Sequence, residues 1–253
     1  GAGIYVLIGL AAAEAGPGLW ISYLACGLLV LPSVFVFAEL SRRLPISGGG
    51  YVFAYHGLGG LGGFITGWFL TVGTLLACAM YSLGFAYYLG PFLHPDLSET
   101  TLRAIAAALI AVLTFVNCRG TAGGDQIQRF LTWGNLFILL ILVIFGILAA
   151  EPDQMTPVLA KGISGIGGAI SIIYISFFGY QLIANTSEEI IDPERTVPLA
   201  MLLSILISLG VYLAVCLVSV LVVPWQVRAE SKAPLVEVAA QAIGPRGWVL
   251  IGA

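Results

Sequence analysis

Charge is what this sequence has least of. Only 9% of its 253 residues are Asp, Glu, Lys or Arg, where soluble domains carry roughly 25%. A water-soluble core of this length needs a polar surface that so few charges cannot supply, so soluble globular classes are excluded. Basic runs are missing as well, which argues against nucleic acid as a partner. No Cys-x-x-Cys is present, and Cys26, Cys78, Cys118 and Cys216 lie in or at the end of apolar runs, where free cysteine serves as a small packing residue. His56 and His94 stand alone. A metal site needs several ligands, so neither a metal nor any other cofactor is expected. Ser, His and Asp occur without a hydrolase elbow, and an enzyme is not expected. No signal peptide is visible. The chain begins at Gly1 and stops in an apolar run at Ala253, and is expected to be a piece of a longer protein, cut inside a first span and near the start of a last one.

What is present in excess is apolar sequence. Hydrophobic residues make up 59% of the chain and the mean hydropathy is +1.03, which points to a multi-pass membrane protein built from helices of about 20 residues. After the short run Ile4 to Leu10 and a turn at Ala15-Gly16-Pro17-Gly18, complete spans are expected at residues 20–40, kinked at Pro32, 64–93, 102–116, 130–150, 163–198 and 199–223. Residues 51–56 are aromatic and suit a membrane interface. Residues 228–232 read as a polar loop, residues 233–243 as an amphipathic loop helix, and a further span starts at Trp248. Basic residues do not fix the orientation. Arg42, Arg43, Arg119, Arg129 and Arg195 fall on one side, and Arg103, Lys161, Arg228, Lys232 and Arg246 on the other. The Arg42-Arg43 doublet directly after a span votes for its side being cytoplasmic.

The run at residues 163–198 stops resembling a simple span at Phe177-Phe178-Gly179. Gln181, Asn185, Thr186, Ser187, Glu188 and Glu189 follow, with a stop at Asp192-Pro193. It reads as a discontinuous helix whose break binds a ligand. Gly1-Ala2-Gly3 interrupts the first apolar run in the same manner, with four helices between. Two glycine-interrupted spans in corresponding positions of two halves point to the midplane site of a secondary transporter.

Five collinear motifs then carry a family resemblance. Gly1-Ala2-Gly3-Ile4-Tyr5, Ala38-Glu39-Leu40 through Pro45 with Ser47-Gly48-Gly49-Gly50-Tyr51, Gly63-Phe64-Ile65-Thr66-Gly67-Trp68, Asn117-x-Arg119-Gly120, and Phe177-Phe178-Gly179-Tyr180 through Pro198 resemble helices 1, 2–3, 3, 4 and 6 of the amino acid–polyamine–organocation (APC) superfamily. The cationic amino acid transporters and their prokaryotic relatives look nearest. The resemblance implies an all-α, polytopic, LeuT-type inverted-repeat fold with discontinuous helices 1 and 6. It implies one incomplete transmembrane domain over residues 1–253, with a first repeat at about 1–150 and a second from about 163. Arg42 and Arg43 become cytoplasmic, and the setting is the plasma membrane.

Under this resemblance the chain moves amino acids by alternating access. Polyamines or other amines are the alternative cargo, and a non-transporting amino acid sensor is the alternative role. The free N–H groups at Gly1, Ala2, Gly3 and Ile4 suit a carboxylate, although small residues also serve close helix packing. Carbonyls near Ile175 and Phe178 suit an ammonium. Phe177, Phe178, Gly179 and Gln181 complete the expected site, where Gln181 replaces the Glu of many relatives and keeps the hydrogen bonds without the charge. Asn135 stands where proton-coupled relatives carry Lys and cannot titrate usefully, so facilitated diffusion or exchange is expected over proton symport; interhelical hydrogen bonding is its other reading. Glu188 and Glu189, with Arg42 or Arg43, form either an inner gate or a plain solvated loop. Tyr81 is a candidate pocket wall. The loop at residues 94–101 has no Cys, so a disulfide-linked heavy chain is not expected. The expected partners are a small amino acid or amine and the lipid bilayer.

Overall fold

The computed structural model describes residues 3–94, 97–118, 124–244 and 247. Among them there is no strand, and six helices are long and apolar enough to cross a membrane. α1 spans Gly3–Ala15 and α2 spans Leu19–Arg43. A tight turn at Gly16–Gly18 joins them, carrying Pro17 and a left-handed Gly16 (φ 60°). α2 continues through Pro32. α3 runs over Gly49–Leu93, with non-helical Gly59 (φ 78°, ψ −174°) dividing the interface segment from the span. α4 (Glu99–Cys118) and α5 (Gly124–Leu148) follow. Next come α6 (Gly162–Ile173), a 3₁₀ segment at Tyr174–Tyr180 and the short α7 (Gln181–Asn185). α8 covers Pro193–Val222, α9 Trp225–Glu230 and α10 Pro234–Ile243.

Two expectations change here. Asp192-Pro193 starts a helix instead of stopping one. Asp192 adopts left-handed backbone (φ 53°) and Pro193 is the first helical residue, the position where a fixed φ and a missing N–H cost nothing. Residues 228–230 are not loop but the end of α9.

α2 and α8 make the most extensive packing among the described elements, and α1 lies on α6 and α9. The core gathers Ile4, Ile8, Leu19, Tyr23, Val30 and Val34 from α1 and α2 with Met201, Ile205, Tyr212 and Val215 from α8. Close approach is possible because Gly27 faces Leu209, where a Cβ would lie 2.5 Å from Cδ1. In a bilayer such van der Waals fit replaces hydrophobic driving force. The outer faces stay apolar: Phe130 is 78% exposed, Trp133 72% and Leu148 79%. A water-facing surface would not carry so continuous a patch, which suits a chain set in a membrane.

Candidate functional site

The site begins where α6 gives up its α-helical pitch. From Tyr174 to Tyr180 seven residues follow 3₁₀ geometry. Such runs seldom exceed three or four residues, and a stretch inside a longer helix marks a hinge or strain. The expected break is therefore present, but it starts four residues earlier than Phe178 and is wound tighter, not unwound.

Gly3, the first described residue of α1, abuts this segment. A Cβ there would collide with the Ser176 hydroxyl and come within 3.0 Å of the Ser176 Cα. The N-terminal end of one apolar helix thus meets the interruption of another, a juxtaposition that only glycine permits. Gly1 and Ala2 lie outside the described residues.

The break has an inward and an outward side. Phe177 is 1% exposed and Tyr180 is buried. Phe177 stacks edge-on with Tyr212 (ring centroids 5.2 Å apart) and faces Tyr23 at 6.5 Å. Its side chain is core, not pocket wall. Ile4 is likewise fully buried, leaving only its backbone for a ligand. Tyr212 donates its hydroxyl hydrogen to the Ser176 carbonyl at 3.2 Å, so one carbonyl of the segment is already occupied. Phe178 is 37% exposed and pairs with Tyr174 at 6.4 Å. Gly179 is exposed, with nothing within 4 Å of a built Cβ and no positive φ. Glycine at 179 therefore keeps space clear and is not needed for its backbone freedom. Ile175 is half-buried.

Gln181 lies one turn further on, buried in α7. With Asn185 it lines a cavity of about 790 Å³ against Tyr51, Gly67, Trp68 and Thr71 of α3. The volume falls in the range of small-molecule clefts. Gly49 packs closely on Asn185, since a Cβ there would strike the Asn185 amide oxygen.

Asn135 reaches α1 directly. The Tyr5 hydroxyl donates to Asn135 Oδ1 at 2.5 Å. The Tyr5 carbonyl accepts from the Tyr88 hydroxyl at 2.8 Å, and the two rings meet edge-on at 5.6 Å. The Tyr88 oxygen in turn accepts from the Leu235 N–H at 3.3 Å. Tyr88 was not foreseen from the sequence, and Tyr5 was named only as part of the first motif. A tyrosine inside an apolar span must find a partner for its hydroxyl, and that was the available signal. Tyr81, the expected wall residue, is half-buried two turns before Tyr88.

The charged cluster at Arg42, Arg43 and Glu188 is arranged differently from expectation. Arg42 and Arg43 both turn back to Glu39, at 3.0 Å and 2.6 Å, a spacing of three and four residues that a helix favours. Glu188 instead pairs with Ser47: the Ser47 N–H donates to Glu188 Oε1 at 3.2 Å, and the Glu188 N–H donates to Ser47 Oγ at 3.3 Å. Among the described residues the arginines are not brought to Glu188, and Glu189 is an exposed neighbour. The loop between α2 and α3 is thus clipped to the segment after α7 by two reciprocal bonds.

A family model described as amino acid permease matches residues 1–252. Cationic amino acid transporter 9, chloroplastic, of Arabidopsis thaliana is 28% identical, over 94% of this chain and 45% of that protein. The branched-chain amino acid permease BcaP of Bacillus subtilis (strain 168) is 27% identical, over 98% of this chain and 57% of that protein. A methylthioribose transporter of the same organism is 28% identical, over 89% of this chain and 52% of that protein. The chain spans about half the length of these relatives.

Proposed function

We propose, for a chain that belongs to the amino acid permease family, that the whole protein is a secondary transporter moving amino acids by alternating access. The observation that carries this reading is the meeting of Gly3 with the seven-residue 3₁₀ break at Tyr174–Tyr180. A zwitterion brings two charges into a medium where each costs at least about 2.5–3.5 kcal/mol. Half-helix ends answer both. N–H groups at Gly1, Ala2, Gly3 and Ile4 hold the carboxylate with the positive end of the α1 dipole. Carbonyls at Ile175 and Phe178 hold the ammonium. The cleared space at Gly179 and the exposed face of Tyr174 and Phe178 give the ligand room. Two inverted repeats, the first at about residues 1–150 and the second from about 163, place the two breaks opposite one another.

Asn135 supports facilitation or exchange over proton symport. Its amide accepts from Tyr5 on α1, and an amide neither takes up nor releases a proton across the working range. The Ser47–Glu188 clip is the inner latch in this reading. It consists of exposed hydrogen bonds, weak enough to reopen on every cycle. Residence in the plasma membrane, and function without a disulfide-linked heavy chain, belong to the same proposal.

Uptake into proteoliposomes by the full-length protein tests the reading. The panel holds amino acids, an amine and methylthioribose at two pH values. Amino acid uptake that changes little with pH is expected. Uptake of the amine or methylthioribose alone moves the cargo elsewhere, and binding of an amino acid with no uptake makes the protein a sensor.

A further inference from the structure

Arg228 is the largest fully buried side chain among the described residues, and it lies in α9, a six-residue helix between two apolar elements. Its Nη1 donates to Ser219 Oγ at 3.2 Å. The Ser219 hydroxyl spends its own hydrogen on the Cys216 carbonyl at 2.8 Å, so Ser219 fixes the guanidinium without neutralising it. Nε and Nη2 have no hydrogen-bond partner among the described residues, and neither has the hydroxyl of Tyr23. Cys216 and Tyr23 lie near Arg228, and among the described residues no carboxylate forms an ion pair with it. Burial pushes the guanidinium pKa down to about 10, which still leaves it a cation at neutral pH.

A buried cation with unmatched donors is among the most unfavourable arrangements a protein can hold, and it persists where an opposite charge completes it. The residue is 0% exposed. Its backbone is seated on α1, where a Cβ at Gly9 would lie 2.8 Å from the Arg228 carbonyl oxygen and 2.6 Å from Pro234 Cγ. This contact holds α9 against α1, and among the described residues no acidic side chain forms an ion pair with the guanidinium. We propose that Arg228, with the Tyr23 hydroxyl as a further donor, forms a binding site for one small monovalent anion. The ion fastens α9 to the α2–α8 pair. The site uses other groups than the break: Arg228 is held by Ser219, whereas the Ser176 carbonyl is held by Tyr212. Two sources share this chemistry, a halide and a compact carboxylate. Full coverage of the guanidinium favours the smaller ion.

Thermal melts of the full-length protein in detergent test the site, in sodium chloride, bromide, acetate and gluconate at equal ionic strength so that screening is constant. Chloride and bromide are expected to raise the Tm saturably by at least about 2 °C over gluconate. Acetate acting as well as the halides identifies a carboxylate ligand. Arg228→Met should lose the anion effect and melt in gluconate no lower than the native protein, because it removes the charge that lacks a counter-ion. Tyr23→Phe should weaken the effect. Equal melting of the native protein in all four salts overturns the proposal, as does an undiminished halide shift in Arg228→Met. Should that variant fail to fold, bromide soaked into crystals of the native protein decides. An anomalous peak within about 3.5 Å of the guanidinium supports the site, and no peak there overturns it.

Discussion

Tyr88 ties three elements together through one oxygen, donating to the Tyr5 carbonyl of α1 and accepting from the Leu235 N–H of α10. That N–H lies in the first turn of α10 and has no partner within its own helix. Tyr88→Phe therefore leaves a buried donor unmatched and is expected to cost about 1–3 kcal/mol of stability, while Tyr81→Phe stays within about 0.5 kcal/mol. Denaturation of the two variants in detergent checks this, and equal losses would contradict it. Gly3 offers a second test at this scale. Gly3→Leu drives a side chain into Ser176. The expected outcome is membrane insertion as in the native protein with substrate binding lost; unchanged affinity would refute the carboxylate cradle. Individual partners were the least legible level of the sequence. Asn135 was identified through the family resemblance, yet its bond to Tyr5 joins residues 130 positions apart, and no local pattern encodes that separation. Arg228 read as a loop charge because neighbouring Glu230 and Lys232 disguised it.

At the scale of elements, legibility followed the strength of local signals. The spans, the turn at Gly16–Gly18 and the amphipathic α10 were readable from apolar runs and breakers. The break in the α6–α7 span was readable too, but not its start. Residues Ile172, Ile173, Tyr174 and Ile175 hold no glycine or proline. The 3₁₀ winding there is sustained by tertiary contacts, the Tyr212 bond to Ser176 and the packing of Phe177 on Tyr23 and Tyr212. Gly59 makes the opposite case, a break set by one residue. Its φ of 78° and ψ of −174° fall in a region open essentially to glycine alone. Nothing lies within 4 Å of a built Cβ, so Gly59→Ala isolates the backbone cost. A loss of about 1–3 kcal/mol is expected, read as a lower Tm; a neutral variant would show that the bend is not required.

On the scale of the whole molecule, scarcity of charge dictated the class. With so few ionisable residues the chain cannot face water over most of its surface, and the exposed Phe130, Trp133 and Leu148 agree with a membrane setting. The loop cluster around Ser47 shows where composition stops being informative. Arg42, Arg43 and Glu188 were close enough in type and side to suggest a cross-loop pair, but Glu39 sits one helical turn from both arginines and captures them first. What remains to join the two ends is Ser47 with Glu188, and this latch must open if the break is served from both sides in turn. Alternating access without proton coupling has a direct signature in counterflow. Proteoliposomes holding the full-length protein are loaded with unlabelled amino acid and diluted into a trace of labelled amino acid, with pH and salt equal on both sides. The account predicts transient accumulation of label above its outside concentration, unchanged by a protonophore. Label that never exceeds equilibrium, or accumulation only when an inward proton gradient is imposed, would contradict it.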